Sequence, residues 1–158
     1  MQCSFGKLCA KARDDAGFTQ ESAEPLLLVS VRSISDYERD VTPVPGDVVL
    51  RMMEAYNARW LGYAWLQTTN EVGRVILPEI TVGRHFAQSI LNLRVEMKHV
   101  AGVQDDIDEI GMDGHVDHQE NPRWQLCAKE LQELAGTLFA VLLSPLHLHK
   151  EKDRTRAA

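Results

Sequence analysis

The sequence lacks an excess of positive charge. Its 158 residues contain 17 Lys and Arg against 23 Asp and Glu, which gives a formal net charge of −6. Because non-specific affinity for nucleic acid is mostly electrostatic, this balance argues mildly against a nucleic-acid partner. The first part of the chain is no different, since residues 1–69 hold seven basic and nine acidic residues. Specific binding to nucleic acid would require the few basic side chains to be gathered on one face.

Long apolar runs and paired cysteines are also scarce. The sequence has no stretch of roughly eighteen apolar residues, and its N-terminus lacks the apolar core of a signal peptide. We therefore expect a cytoplasmic protein that does not contact a membrane. Cys3, Cys9 and Cys127 are odd in number and lack C-x-x-C spacing, which predicts reduced thiols. With 44% hydrophobic residues the chain can still bury a core, as one domain or two small ones.

Two short helices separated by a tight turn are predicted between Gly17 and Glu38. Thr19 and Ser30 are candidate N-caps, and Ser22 takes the place of the Glu or Gln of a full capping box. After Ser30 the apolar residues recur every three positions, as they do on one helical face, at Val31, Ile34 and Tyr37. A helix, a short turn and a second helix form the unit that places its second helix in the major groove of DNA.

The same residues resemble the XRE (lambda repressor/Cro-like) helix-turn-helix family, and are most similar to a subgroup found in Gram-positive bacteria and their phages. The likeness is carried by Gly17 to Glu21, Val29 to Glu38, Val44 to Met52 and Tyr56 to Leu61. It is strong from Leu8 to Ile80 and fainter in the C-terminal half. The resemblance implies an all-α protein with a lambda-repressor-like five-helix domain. It also implies sequence-specific binding of double-stranded DNA in transcription regulation.

The resemblance further implies which residues meet DNA. Arg32 is expected to read a base, since arginine suits guanine, and Gln20 is expected to contact a phosphate at a helix N-terminus. The full set of candidate DNA-binding residues is Thr19, Gln20, Ser30, Val31, Arg32, Ser33, Ser35, Asp36 and Arg39. A structural alternative stays open, because Arg32 and Asp36 are four residues apart and could simply pair on a solvated helix face.

Three residues of the first short helix and its turn depart from the family pattern. Pro25 lies about six residues into the helix, where proline removes a backbone donor and clashes with the preceding turn. We expect the helix to be shortened or kinked there, or to be held in place by the surrounding core. Glu24 stands where the family prefers a small apolar residue, and Leu28 stands where the family often has glycine or histidine.

The rest of the chain predicts a second unit. We expect a DNA-binding domain at 1–69, a linker arm at 70–83, an antiparallel helical hairpin at 84–143 and a flexible tail at 144–158. The expected helices outside the helix-turn-helix are Ser4 to Ala16, Asp47 to Tyr56, Asn57 to Leu66, Arg84 to about Ile110, and Pro122 to about Leu143 with Asn121 as N-cap. Arg74 to Pro78 is expected to be extended.

The apolar stripes of the hairpin must pack on the N-terminal bundle, on another copy or on a partner. One helix-turn-helix reads only a half-site, so we expect a homodimer. Its expected contacts are the hairpin stripes and the segment with Trp60 and Trp65.

No metal, cofactor or catalytic activity is predicted. Asp113 to Glu120 match the second part of an EF-hand loop, but Glu109 and Gly111 stand at its first and third positions, and Asp-Gly is also ordinary turn chemistry. Nucleophile elbow, phosphate loop and H-E-x-x-H motifs are missing. The alternative to a DNA-binding regulator is a non-enzymatic protein-interaction module that keeps the helix-turn-helix fold without specific DNA binding.

Overall fold

The computed structural model describes residues 4–80 and 86–144. These residues form α-helices connected by turns, which confirms the all-α expectation. The helices in chain order are α1 (Phe5–Asp15), α2 (Gln20–Leu27), α3 (Val31–Glu38), α4 (Gly46–Ala55), α5 (Trp60–Thr69), α6 (Glu71–Ile76), α7 (Phe86–Gly102), α8 (Gln104–Gly111) and α9 (Asn121–Leu142). Cys3, the expected hairpin start at Arg84 and the expected tail beyond Ser144 lie outside the described residues. Within those ranges, no helix has the length and apolarity needed to cross a membrane.

The first five helices enclose one apolar core. α1 packs on α3 and α5, α2 packs on α3 and α4, and α4 packs on α5. Each short helix contributes the residues that its spacing places on its inner face, among them Leu8, Cys9, Ala23, Leu27, Ile34, Met52 and Leu61. Burial raises the pKa of the Cys9 thiol to about 12, so this cysteine stays protonated and unreactive. Cys9 and Cys127 are both free thiols.

The start of α1 is docked on the end of α3. The backbone N–H of Gly6 donates to Asp40 Oδ1 at 2.7 Å, so a side chain from the loop after α3 caps α1. A Cβ atom at Gly6 would collide with the carbonyl oxygens of Tyr37 and Glu38. Glycine at this position therefore lets the two helices approach closely enough for the cap to form.

Helix α2 runs through Pro25 without being shortened. The expected capping box at its start is confirmed, because Thr19 and Ser22 bond each other's backbone N–H. Pro25 is exposed, which lets water reach the carbonyl of Glu21 that loses its helical donor. The helix ends where Leu28 adopts the left-handed conformation at φ 54°. Glycine adopts that conformation without strain, whereas leucine does so at a cost.

Two predicted segments between Asn57 and Pro78 differ from the structure in their bounds or their conformation. The fifth helix starts at Trp60 rather than Asn57, because Asn57 is itself left-handed at φ 50°. The segment expected to be extended from Arg74 is helical as far as Ile76. Asn70 caps this short helix by accepting from the N–H of Gly73 at 3.0 Å. Gly73 packs against the Leu66 carbonyl, where a Cβ atom would not fit.

The C-terminal part contains two helices where one was expected at 84–110. The backbone turns out of α-geometry after Gly102, where the Val103 N–H bonds to Val100 at 3.1 Å, and α8 starts at Gln104. Contacts between α7–α8 and α9 run in opposite chain directions, from Arg123 with Asp106 to Glu130 with His99. The two arms are therefore antiparallel.

The expected N-cap of the last helix, Asn121, is also wrong. Asn121 is the first residue of α9, and Asp117 accepts from the N–H of Glu120 at 2.8 Å while Glu120 accepts from the N–H of Asp117 at 3.0 Å. This reciprocal pair has the hydrogen-bond pattern of a capping box and lies in the turn that leads to Glu120, the N-cap of α9. The Asp117 and Glu120 carboxylates of the EF-hand-like segment therefore satisfy backbone groups of their own turn.

The end of α9 packs against the N-terminal core. The Tyr63 ring lies 5.1 Å from that of Phe139, and its hydroxyl donates to the Pro78 carbonyl at 2.6 Å. Trp60 and Trp65, which lie in the segment expected to contact a second copy, both pack within this chain. Trp60 is buried, and Trp65 packs on the same core with its indole N–H bonded to Val44.

Candidate nucleic-acid interface

One side of helix α3 is buried in the core, and the opposite side is exposed to solvent. Ile34 and Tyr37 are buried in the core, and Ser30 caps the helix by accepting from the N–H of Ser33 at 3.2 Å. α2 ends at Leu27 and α3 starts at Val31, so three residues separate them. Arg32 therefore faces away from the bundle, as a residue that reads bases requires, whereas Glu38 at the end of α3 turns into it.

Arg32 is the most accessible charge on this helix. Its side chain is 92% exposed, and its Nε lies 4.0 Å from Asp36 Oδ2, at the limit of an ion pair. Asp36 has a closer partner, because Arg39 Nη2 donates to its Oδ1 at 2.6 Å. The alternative pairing of Arg32 with Asp36 is thus weak in the structure. Arg32 can extend toward a ligand without breaking a close contact, whereas Asp36 and Arg39 are already paired.

Gln20 belongs to a hydrogen-bonded network under α2 and α3. Its amide donates to Glu38 Oε2 at 2.7 Å. Glu38 also accepts from Arg13 at 2.6 and 3.0 Å, in the two-pronged geometry that arginine and carboxylate favour. This contact raises the pKa of the Arg13 guanidinium. The network ties α1, the start of α2 and the end of α3 together, and it fixes the Gln20 side chain at the α2 N-terminus.

Carboxylates lie at the N-termini of both helices of the motif. The pKa of Glu21 is lowered, first by a hydrogen bond from its own backbone N–H and then by the Thr19 hydroxyl. Glu24 Oε1 lies 3.4 Å from the N–H of Val31, the first residue of α3. Free N–H groups at helix N-termini are the usual contacts for phosphate. Here an acidic side chain of the protein lies against one such N–H group at the start of each helix.

The hydroxyl groups of Thr19, Ser30 and Ser33 have structural partners. The Ser30 and Ser33 hydroxyls lie 3.0 Å apart at the start of α3. Thr19 is the N-cap of α2. The Ser35 backbone carbonyl accepts from Arg39 Nε at 3.2 Å. Val31 and Ser35 are both half-buried. The structure thus brings the candidate residues together on α3 and at the start of α2, and leaves the Arg32 side chain almost fully exposed.

Sequence reasoning did not assign a role to Glu21, Glu24 or Arg51. An acidic residue in the first turn of a helix is a common signal for Glu21. Glu24 lies seven residues before Val31, the first residue of α3, and no local sequence pattern links residues at that spacing. Arg51 of α4 donates to the Leu27 carbonyl at 2.7 Å and pairs with Asp47 at 2.8 Å, so it caps the end of α2 from another helix. Only the packing of α2 on α4 could identify that contact.

Comparisons with known proteins agree with this geometry. A family model described as helix-turn-helix matches residues 10–60, which span α2, α3 and most of the core. Residues 10–60 are thus similar in sequence to helix-turn-helix domains of the XRE type. Among curated proteins, the HTH-type transcriptional regulator ImmR of Bacillus subtilis is 37% identical over 54 residues, which cover 34% of this chain and 42% of that protein. The chain thus matches less than half the length of this relative. No solved structure matches the chain.

Proposed function

We propose that this protein is a non-enzymatic transcriptional regulator that binds a specific DNA sequence with α3 and acts as a homodimer. The observation that carries the proposal is the exposed guanidinium of Arg32, held on a helix whose opposite side is buried. Arginine donates two hydrogen bonds to the O6 and N7 atoms of guanine, which is the commonest specific contact in the major groove. The likeness of residues 10–60 to known helix-turn-helix proteins supports the same function.

We expect contacts to the DNA backbone to contribute less to the affinity than contacts to the bases. The amide nitrogen of Gln20 has two hydrogens, and one of them is bonded to Glu38. The second hydrogen can donate to a phosphate at the N-terminus of α2. Repulsion by Glu21 and Glu24 opposes that contact. Gln20→Ala should therefore weaken binding to all sequences to a similar degree, and leave the salt dependence almost unchanged because glutamine releases no counterion.

The homodimer is expected to form through exposed apolar residues of the C-terminal hairpin. These residues recur at helical spacing on the outer faces of α7 and α9 and include Leu91, Val95, Leu131, Leu138 and Leu142. A helix-turn-helix reads one half-site, and a second copy related by a two-fold axis reads the other about one DNA turn away. Covering an apolar stripe supplies the hydrophobic energy for that pairing.

Sedimentation of the full chain at tens of micromolar tests the dimer. We expect a dimer for the wild type and a monomer for the double variant Leu131→Asp/Leu138→Asp. The matched control is Val72→Asp/Val75→Asp, which changes two exposed apolar residues of α6 and should remain dimeric. A wild-type monomer would remove the dimer from the proposal and leave the DNA-binding assignment standing.

The second candidate is a protein-interaction module, and the carboxylates at the two helix N-termini favour it. A map of binding sites in the host genome separates the two functions. We expect discrete sites for the wild type, loss of those sites for Arg32→Ala, and retention for Arg74→Ala. The last variant removes an exposed arginine of α6, outside the matched helix-turn-helix, and serves as the charge control. A wild-type map without discrete sites would favour the interaction module.

A further inference from the structure

Four potential metal ligands meet between the two arms of the hairpin. Glu96 and His99 lie on α7, and Glu130 and Glu133 lie on α9. Residues three apart share one face of a helix, so each helix presents two of these side chains together. Helix α7 packs along α9, which brings one ligand atom of each of the four side chains within 4.8 Å of all the others.

The spacing around His99 fits a bound ion. Its Nδ1 lies 3.2 Å from Glu96 Oε2 and 3.6 Å from Glu130 Oε2. Zinc holds imidazole nitrogen and carboxylate oxygen at about 2.0–2.2 Å, so neighbouring ligand atoms of a tetrahedral site lie about 3.4 Å apart. The two measured distances lie on either side of that value. Two distances between ligand atoms thus match a tetrahedral site, and Glu133 offers a further ligand atom within 4.8 Å of the other three.

The cluster has more carboxylates than basic groups, and this excess of negative charge favours a bound cation. Three carboxylates accompany a single imidazole, and Lys129 pairs with Glu133 at 3.4 Å on the exposed side. Glu130 Oε2 is buried and accepts no hydrogen bond within the described part of the chain. A buried carboxylate oxygen without a donor is unfavourable, and coordination to a metal ion removes that penalty. A protonated His99 between Glu96 and Glu130 is the competing explanation, and it requires no metal.

We propose that Glu96, His99, Glu130 and Glu133 form a site for a divalent transition-metal ion, and that Zn²⁺ bound there joins α7 to α9. An imidazole ligand favours Zn²⁺ over Ca²⁺ and Mg²⁺, which prefer shells made of oxygen. The ion would bind the folded hairpin and not the unfolded chain, so it would raise the stability of the native state. This site is separate from the helix-turn-helix and does not depend on the function proposed above.

The test is a calorimetric titration of the metal-stripped full chain with Zn²⁺, together with thermal unfolding with and without the ion. We expect one Zn²⁺ per chain and a higher melting temperature when it is bound. His99→Gln and Glu130→Gln should each lower the affinity for Zn²⁺ by at least about tenfold. Without the ion, Glu130→Gln should unfold at the same or a higher temperature than the wild type, because it removes one of three crowded negative charges. A side chain with a merely structural role would instead destabilise the ion-free protein.

Two control variants test whether Zn²⁺ binds at other histidines of the chain. His115→Gln changes an exposed histidine of the hairpin turn, and His147→Gln/His149→Gln changes the histidines near the C-terminus of the sequence. Both variants should bind Zn²⁺ as the wild type does. The proposal is overturned if the wild type does not bind Zn²⁺, if His99→Gln binds it equally well, or if only the control variants lose affinity. If Asp117→Asn abolishes the rise in melting temperature with Zn²⁺ while His99→Gln keeps it, the ion binds in the turn and the proposal is overturned.

Discussion

The buried ion pair between Arg13 and Glu38 provides a test of what holds the recognition helix on its domain. Their side chains are 11% and 8% exposed, and Glu38 accepts two hydrogen bonds from Arg13 and one from Gln20. Glu38→Gln keeps the volume of the side chain but removes its charge. Hydrogen bonds to charged groups contribute about 1.5–3 kcal/mol, and breaking a buried pair costs about 3–5 kcal/mol. Arg13 keeps its bond to the Phe18 carbonyl at 2.8 Å, so we expect a loss of about 2–3 kcal/mol.

A matched control uses the same arginine. Asp14 accepts from Arg13 Nη1 at 2.6 Å, but its side chain is 68% exposed. Asp14→Asn should therefore lower the free energy of unfolding by less than about 1 kcal/mol, as is usual for solvent-exposed pairs. Urea unfolding of the full chain, followed by circular dichroism, measures both variants. Equal losses for Glu38→Gln and Asp14→Asn would refute the reasoning, because burial is the main difference between the two pairs.

Three further outcomes follow from α2 and its surroundings. Leu28→Gly should raise the free energy of unfolding by about 0.5–1 kcal/mol, because glycine adopts the left-handed conformation without strain. Asp40 has a similar φ, but Asp40→Gly should lower the free energy of unfolding by about 1 kcal/mol because the cap on Gly6 is lost. Urea unfolding of the two variants measures both changes. Pro25→Ala should raise stability by about 2 kcal/mol in the same assay, and a loss would show that the local backbone is built around proline. Glu21→Gln should strengthen binding to unrelated DNA at low salt, measured by fluorescence anisotropy, and unchanged affinity would show that this carboxylate does not face the phosphates.

Local signals were sufficient to predict the helix-turn-helix. The Thr19–Ser22 capping box, the Ser30 cap and the spacing of Ile34 and Tyr37 act within one or two turns of helix, and the structure confirms all of them. The core of the first five helices follows from the same kind of pattern. Such features are visible in a sequence because the interacting residues are three or four positions apart.

Contacts between distant residues explain what the sequence could not predict. The missing side chain of Gly73 allows α6 to pack on Leu66 of the preceding helix, where an extended segment was expected from Arg74. Arg51 caps α2 across 24 positions of sequence, and Asp40 caps α1 across 34. The Glu96–His99 and Glu130–Glu133 pairs look like ordinary charged helix faces until the antiparallel packing of α7 on α9 brings them together.

The central claim is that Arg32 reads a base, and selection of DNA sites from a random duplex pool at low salt tests it most directly. For the wild-type full chain we expect one preferred sequence. Arg32→Ala should lose about 1–3 kcal/mol on that sequence and relax the preference at a single base pair, with little change in non-specific binding. The charge control Arg74→Ala should select the wild-type sequence. A pool that yields no preferred sequence for the wild type, or the same sequence and affinity for Arg32→Ala, would contradict the account.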